Sequence, residues 1–285
     1  MSPREPLVRG VRQAALTCID EARAQWGQVS IDPVRSIHGA RIGLKQLRAL
    51  LRLPPRPRPA WIESARREAA ACARYLALYR DRDVAIAVCR EILDRHPRRW
   101  KAVLGRLAQP AAARPTMPAP VRVASLDARL AQLRCLLATH AWPPLAHAPM
   151  LDSLRRAYRR ARKTHAFAAF RPTAAVVHEW RKAVVLLRNQ LDLVAPNLTG
   201  PTRKFRRKLH ALARRLGAIG DLTVAERRIA APKPSPEHRL LQDEVLAWIG
   251  RERTLIVART LARSATLFRA PPRKFADRLS ADSRR

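Results

Sequence analysis

Apolar residues along this chain fall into long helix-periodic stretches rich in Ala, Leu and Arg, and the period-two alternation of β-branched residues that marks strands is almost absent. Proline clusters interrupt the stretches at 54–59 (PPRPRP), 109–120, 142–149 and 231–236. The pattern predicts an all-α protein with helices at about 5–27, 33–53, 60–80, 82–94, 97–107, 121–140, 150–167, 172–195, 201–218, 221–230, 236–250 and 252–268. Asp32-Pro33 and Arg171-Pro172-Thr173 have the composition of helix starts, with proline near the first turn. Asp81, Asp83 and Asp221 follow basic stretches and are expected to cap the helices that begin there. The end of the chain, 270–285, is polar and basic and is expected to fray.

One helical stretch, SIHGARIGLKQLRALLRL, sets His38, Arg41, Lys45, Arg48 and Arg52 at offsets 0, 3, 7, 10 and 14. At the helical turn angle these five share an arc of roughly 80°. At the helical rise they form a ladder roughly 21 Å long. No acidic residue lies between His38 and Arg52. An ordinary solvated face mixes signs, and like charges at this spacing repel unless a counter-anion is present. A ladder of this kind suits an extended, multiply charged anion.

The stretch recurs 140 residues later as VVHEWRKAVVLLRNQLDL, with His178, Arg181, Lys182 and Arg188. The same offset aligns Leu47, Leu51 and Leu53 with Leu187, Leu191 and Leu193, and Arg66-Arg67 with Arg206-Arg207. It also pairs Arg74, Leu76, Asp81, Val84 and Ala85 with Arg214, Leu216, Asp221, Val224 and Ala225, and Arg23 with Lys163. A register held through apolar and basic positions alike reads as an internal duplication. The domain organisation expected is one unit over 1–285, built of repeats 1–140 and 141–269, with 270–285 as the tail. Each repeat would be an antiparallel helical bundle, the two related by a pseudo-two-fold axis. The second copy is less purely basic, with Val185 in the gap and Glu179 and Asp192 near its ends.

Composition narrows the ligand. The net charge is +35, from 57 basic and 22 acidic residues, while 47% of residues are hydrophobic. That apolar content supports a packed core and excludes disorder as the meaning of the charge. Nucleic acid, an anionic membrane and inorganic polyphosphate are the partner classes such a charge admits. Arginines outnumber lysines 49 to 8, which favours bidentate phosphate contacts as much as it reflects a GC-rich coding sequence. Cys18, Cys72, Cys89 and Cys135 are widely spaced and read as reduced, mostly buried thiols. Neither a secretory leader nor a membrane span is expected, so the default location is cytoplasmic.

The two His-headed motifs resemble the CHAD family, the conserved histidine α-helical domain. Its His-x-x-Arg-x-x-x-basic-x-x-Arg signature is matched in full by His38, Arg41, Lys45 and Arg48. The second copy matches at His178, Arg181 and Arg188, with Val185 at the basic position. Arg80-Asp81-Arg82-Asp83-Val84 resembles the family's Arg-Asp-x-Asp-Val corner, whose second copy here is Gly220-Asp221-Leu222-Thr223-Val224. The basic run from Arg155 to Lys163, including Arg159, resembles the stretch that precedes the second motif. The resemblance implies two helical bundles around a basic cavity that binds inorganic polyphosphate, and association with polyphosphate granules. Some relatives carry a fused triphosphate tunnel metalloenzyme module, whose Glu-x-Glu-x-Lys signature this chain lacks.

The expected function is therefore non-enzymatic polyphosphate binding by His38, Arg41, Lys45, Arg48, Arg52, Arg67, Arg74, Arg159, Lys163, His178, Arg181, Lys182, Arg188, Arg207 and Arg214. Arg66, Arg67 and Arg74, with Arg206, Arg207, Lys208 and Arg214, would form the wall facing the ladders. The histidines, set among cations, should have depressed pKa values and act as neutral donors. No cofactor, metal or catalytic constellation is expected, since no carboxylate pair or His cluster stands at ligand spacing. The alternative is an architectural, non-specific nucleic-acid-binding protein. It would use the same cations but lacks a recognition-helix signature, zinc spacing or an aromatic platform. The six tryptophans are scattered singly and read as packing.

Overall fold

The computed structural model describes residues 5–109, 120–194, 200–231 and 236–282. Ten helices and no strands are present among them. The first five are α1 (Glu5–Gly27), α2 (Pro33–Leu50), α3 (Ala60–Arg95), α4 (Lys101–Ala108) and α5 (Pro120–Thr139). The second five are α6 (His147–Phe170), α7 (Ala174–Val194), α8 (Gly200–Ala230), α9 (Pro236–Ser264) and α10 (Pro272–Asp282).

Local chemistry fixes the starts of the two motif helices. Asp32 accepts the backbone N–H of Arg35 at 3.0 Å, and Pro33 occupies the first turn of α2. Thr173 Oγ1 accepts the N–H of Val176 at 3.3 Å ahead of α7. The apolar stripe of each then buries: Ile37, Ala40, Leu44 and Leu47 in α2, and Val177, Val184, Leu187 and Leu191 in α7. Gly43 lets α1 and α2 approach closely, since a Cβ there would lie 2.6 Å from the Cys18 carbonyl oxygen.

The packing order is the same along both series of five helices. The second helix packs on the first and third, the third meets the fourth, and the fifth returns against the first and third. The two series meet where α2 packs on α7 and α3 on α8. One apolar core lies among α1, α2, α3 and α5 and takes in Met150 of α6, and another lies within α6 to α10. A third joins the far ends of α3 and α8 to α4 and α9, around Cys89, Ile92, Trp100, Ile229 and Ile249. Trp26, Trp100 and Trp180 are fully buried, in keeping with a packing role.

Several boundaries differ from the sequence expectation. The breaks expected near residues 81, 219 and 251 do not occur, and α3, α8 and α9 run through them. Arg, Asp and even a single Gly cost at most about 1 kcal/mol each inside a helix, which tertiary packing overrides. Asp81, Asp83 and Asp221 consequently lie inside helices and are not N-caps. The expected frayed end is helix α10 from Pro272, because Phe275 and Leu279, four residues apart, both bury against the second core. Most of the expected 109–120 and 231–236 loops falls outside the described residues. Cys18, Cys72 and Cys89 are buried and Cys135 is exposed. Burial pushes the Cys18 thiol up to about 12 and those of Cys72 and Cys89 to about 11.

Candidate anion-binding site

The pairing of α2 with α7 and α3 with α8 gathers cations from both halves of the chain. Lys45 is half-buried at the middle of the group, where the charges of Arg41, Arg181, Arg80 and Arg188 all act on it. Arg41 is held by its Nη1, which donates to the Ala73 carbonyl of α3 at 2.8 Å. Arg80, in α3, donates to Asp221 of α8 at 2.5 Å and to Asp81 at 3.2 Å. Arg181 lies over Gly220 so closely that a Cβ there would clash with its Nη1. Gly220 stands 140 residues after Arg80, and its lack of a side chain leaves room for Arg181.

The electrostatics follow from crowding. Burial, then Arg41, Arg181, Arg80 and Arg188, bring the Lys45 ammonium from 10.5 down to about 7. Burial is also the largest cause lowering His38, followed by Lys45, Arg80 and Arg41, with Asp221 opposing. His178 is lowered by burial, Lys182 and Arg181. Both exposed histidines are therefore largely neutral at neutral pH. The carboxylates closest to the cluster, Asp81 and Asp221, both bond to Arg80 and leave the cations in excess.

The track of cations continues from Lys45 along the first half. Arg48 lines a cleft of about 250 Å³ with Glu63, Arg66, Arg67, Ala70 and Arg74, which brings the first-half members of the expected wall beside one ladder residue. Arg52 lies just past the end of α2, in the turn that follows. Burial, then Arg66, Arg48, Arg160 and Arg58, draw its guanidinium down to about 10, still protonated at neutral pH. Glu63 bonds to Arg66 and Arg58. Ser153 Oγ of α6 donates to the Arg52 carbonyl at 2.8 Å, tying the two halves together at this end. Gln190 of α7 donates to the Ala49 carbonyl at 3.2 Å and does the same between the motif helices.

The remaining expected residues are placed differently. Arg188 donates to Asn189 Oδ1 at 2.8 Å, with Asp192 close enough for its charge to act on the guanidinium. Arg207 lines a separate cleft of about 340 Å³ with Gly200, Arg203 and Lys204, at the start of α8. Lys182 is exposed and bonded to Glu179 at 2.5 Å, and Glu179 also receives Arg160 at 3.3 Å. Arg159, Lys163 and Arg214 are exposed and are not among the main charges acting on Lys45 or His38. Conversely, Arg80, Arg58 and Arg160 were not expected at the site. Arg80 lies in the Arg-Asp corner, a signal available in the sequence, but its partner is on the other half. Arg58 is hidden in the PPRPRP loop, and a run as basic as 155–163 does not reveal which face Arg160 occupies.

Among the described residues, no three His, Cys, Asp or Glu side chains are grouped to hold a metal ion. None of the described helices is long and apolar enough to cross a membrane.

Comparison with known proteins bears on the same residues. The family profile described as the CHAD domain matches residues 13–230, which include both motif helices. The fold is similar to the crystal structure of the CHAD domain from the plant Ricinus communis, with a TM-score of 0.68 and 20% sequence identity. That similarity covers 93% of this chain and 92% of the plant chain. No curated protein matches the sequence.

Proposed function

We propose that this chain, which belongs to the CHAD domain family, binds linear inorganic polyphosphate without turning it over. The observation that carries the reading is Lys45 among Arg41, Arg80, Arg181 and Arg188, with Asp81 and Asp221 both engaged by Arg80. Partly desolvated like charges of this density repel one another, and an anion entering the cluster relieves both the repulsion and the lost hydration. Guanidinium groups meet phosphate oxygens bidentately, and the neutral His38 and His178 donate without adding charge. Polyphosphate repeats one charged tetrahedral unit and has no base edges to be read, so a lining of Arg, Lys and His suffices. The recessed position of Lys45 between packed helices suits a thin, flexible chain better than a duplex. Association with polyphosphate granules belongs to the same proposal, as does descent of the two halves from a duplicated helical unit.

The test is charge reversal on the first ladder. Arg41→Glu, Lys45→Glu and Arg48→Glu together are expected to abolish polyphosphate binding measured by titration calorimetry while circular dichroism retains the helical content. Unchanged affinity in a folded triple variant would remove the ladder from the site and the reading with it.

A further inference from the structure

The two ends of the cation track carry opposite charges at matching positions. Arg52 follows the first motif by the same number of residues as Asp192 follows the second, 140 positions apart. Around Arg52 the dominant charges are all positive, from Arg66, Arg48, Arg160 and Arg58. Around Arg48 they are Arg66 and Arg74. The carboxylate on that side, Glu63, is bonded to Arg58 and Arg66 and is not among the main charges acting on Arg48 or Arg52.

In the second half the carboxylate lies on the motif helix itself. Asp192 Oδ1 is 2.8 Å from His210 Nε2 and 3.6 Å from Arg206 Nε. Its charge is the main one acting on Arg188, the counterpart of Arg48. Arg206 and His210 are the counterparts of Arg66 and Ala70, both of which line the first-half cleft. A carboxylate thus occupies, between a guanidinium and an imidazole, the kind of place that the polyphosphate reading gives to a phosphate on the other side. It is part-exposed, at 28%, so an incoming phosphate would meet its charge directly.

We infer that Asp192 closes the second-half end of the track, so that a bound polyphosphate runs from the central cluster along Arg48 and Arg52 and stops at Arg188. This rests on the polyphosphate reading above, and it makes the site one-ended although the chain supplies two motif helices. Asp192 is then a specificity-determining residue that sets how many phosphate units the site engages.

The experiment compares Asp192→Asn with the wild type and with Asp20→Asn, a control on the surface pair between Asp20 of α1 and Arg134 of α5. Binding of linear polyphosphates of defined length is measured across a salt series. In Asp192→Asn, affinity for long chains is expected to rise roughly two- to fivefold, the scale of one exposed ion contact. The log–log salt slope is expected to steepen by about 0.7, one further phosphate on a flexible polyanion. The chain length at which affinity stops rising should also increase. Arg52→Asp is expected to do the reverse, lowering affinity and flattening the slope. If Asp192→Asn behaves like Asp20→Asn, or if Arg52→Asp is without effect, the one-ended track is wrong. Loss of the polyphosphate reading itself would register separately, as absence of binding by the wild type.

Discussion

Lys45 carries an ammonium that ordinarily titrates at 10.5 and here titrates near 7, through burial and the four surrounding arginines. In the unfolded chain it regains its ordinary value, so between those two pH values the native protein holds fewer protons than the unfolded one. Its contribution to stability therefore rises with pH across that window, and below it the strained charge is fully present. A bound polyanion reverses the balance by favouring the charged form. Binding above neutral pH should thus take up a proton at Lys45, and affinity should fall as pH rises from neutral towards the ordinary lysine range. Calorimetry in buffers of different ionisation enthalpy is expected to show that uptake in the wild type and its loss in Lys45→Arg. His38 and His178 are also lowered from 6.5, by burial first and then by neighbouring cations. The ladder residues were legible from their spacing. The depth of Lys45 and the Arg80–Asp221 contact were not, because each depends on helices from the other half of the chain.

Helices set these side chains by how closely they approach, and two glycines separate the contributions of packing and binding. At Gly43 the obstacle to a Cβ is backbone, the Cys18 carbonyl oxygen at 2.6 Å. Gly43→Ala is expected to push α1 from α2 and to cost about 1–3 kcal/mol in denaturant melts, as overpacking does. At Gly220 the obstacle is the movable end of Arg181. Gly220→Ala should leave stability unchanged or raise it by up to about 1 kcal/mol, since alanine is the better helix former. It should nevertheless weaken polyphosphate binding by displacing Arg181. The sequence marked most helix starts because proline and small polar caps act locally, as at Asp32-Pro33. It misplaced the interior breaks because a run such as Arg80-Asp81-Arg82-Asp83 is compatible with both a helix end and a helix middle. Only packing of α3 against α8 decides between them. The apolar pair Phe275 and Leu279 was visible in the tail, but two residues among charges do not announce a core to bury in.

Across the whole molecule, the excess of 35 positive charges is general while the central cluster is local, and these make different demands on a ligand. A generic basic surface binds any polyanion in proportion to its charge, with a steep dependence on salt. A cluster recessed between packed helices discriminates by thickness and flexibility as well. The measurement that separates the two is competition at near-physiological salt, in which labelled long-chain polyphosphate is challenged with duplex DNA, RNA and short phosphates at matched charge. Polyphosphate should be displaced weakly by either nucleic acid. Displacement by duplex DNA at equal charge would contradict the polyphosphate site and make the chain a general phosphate-backbone binder.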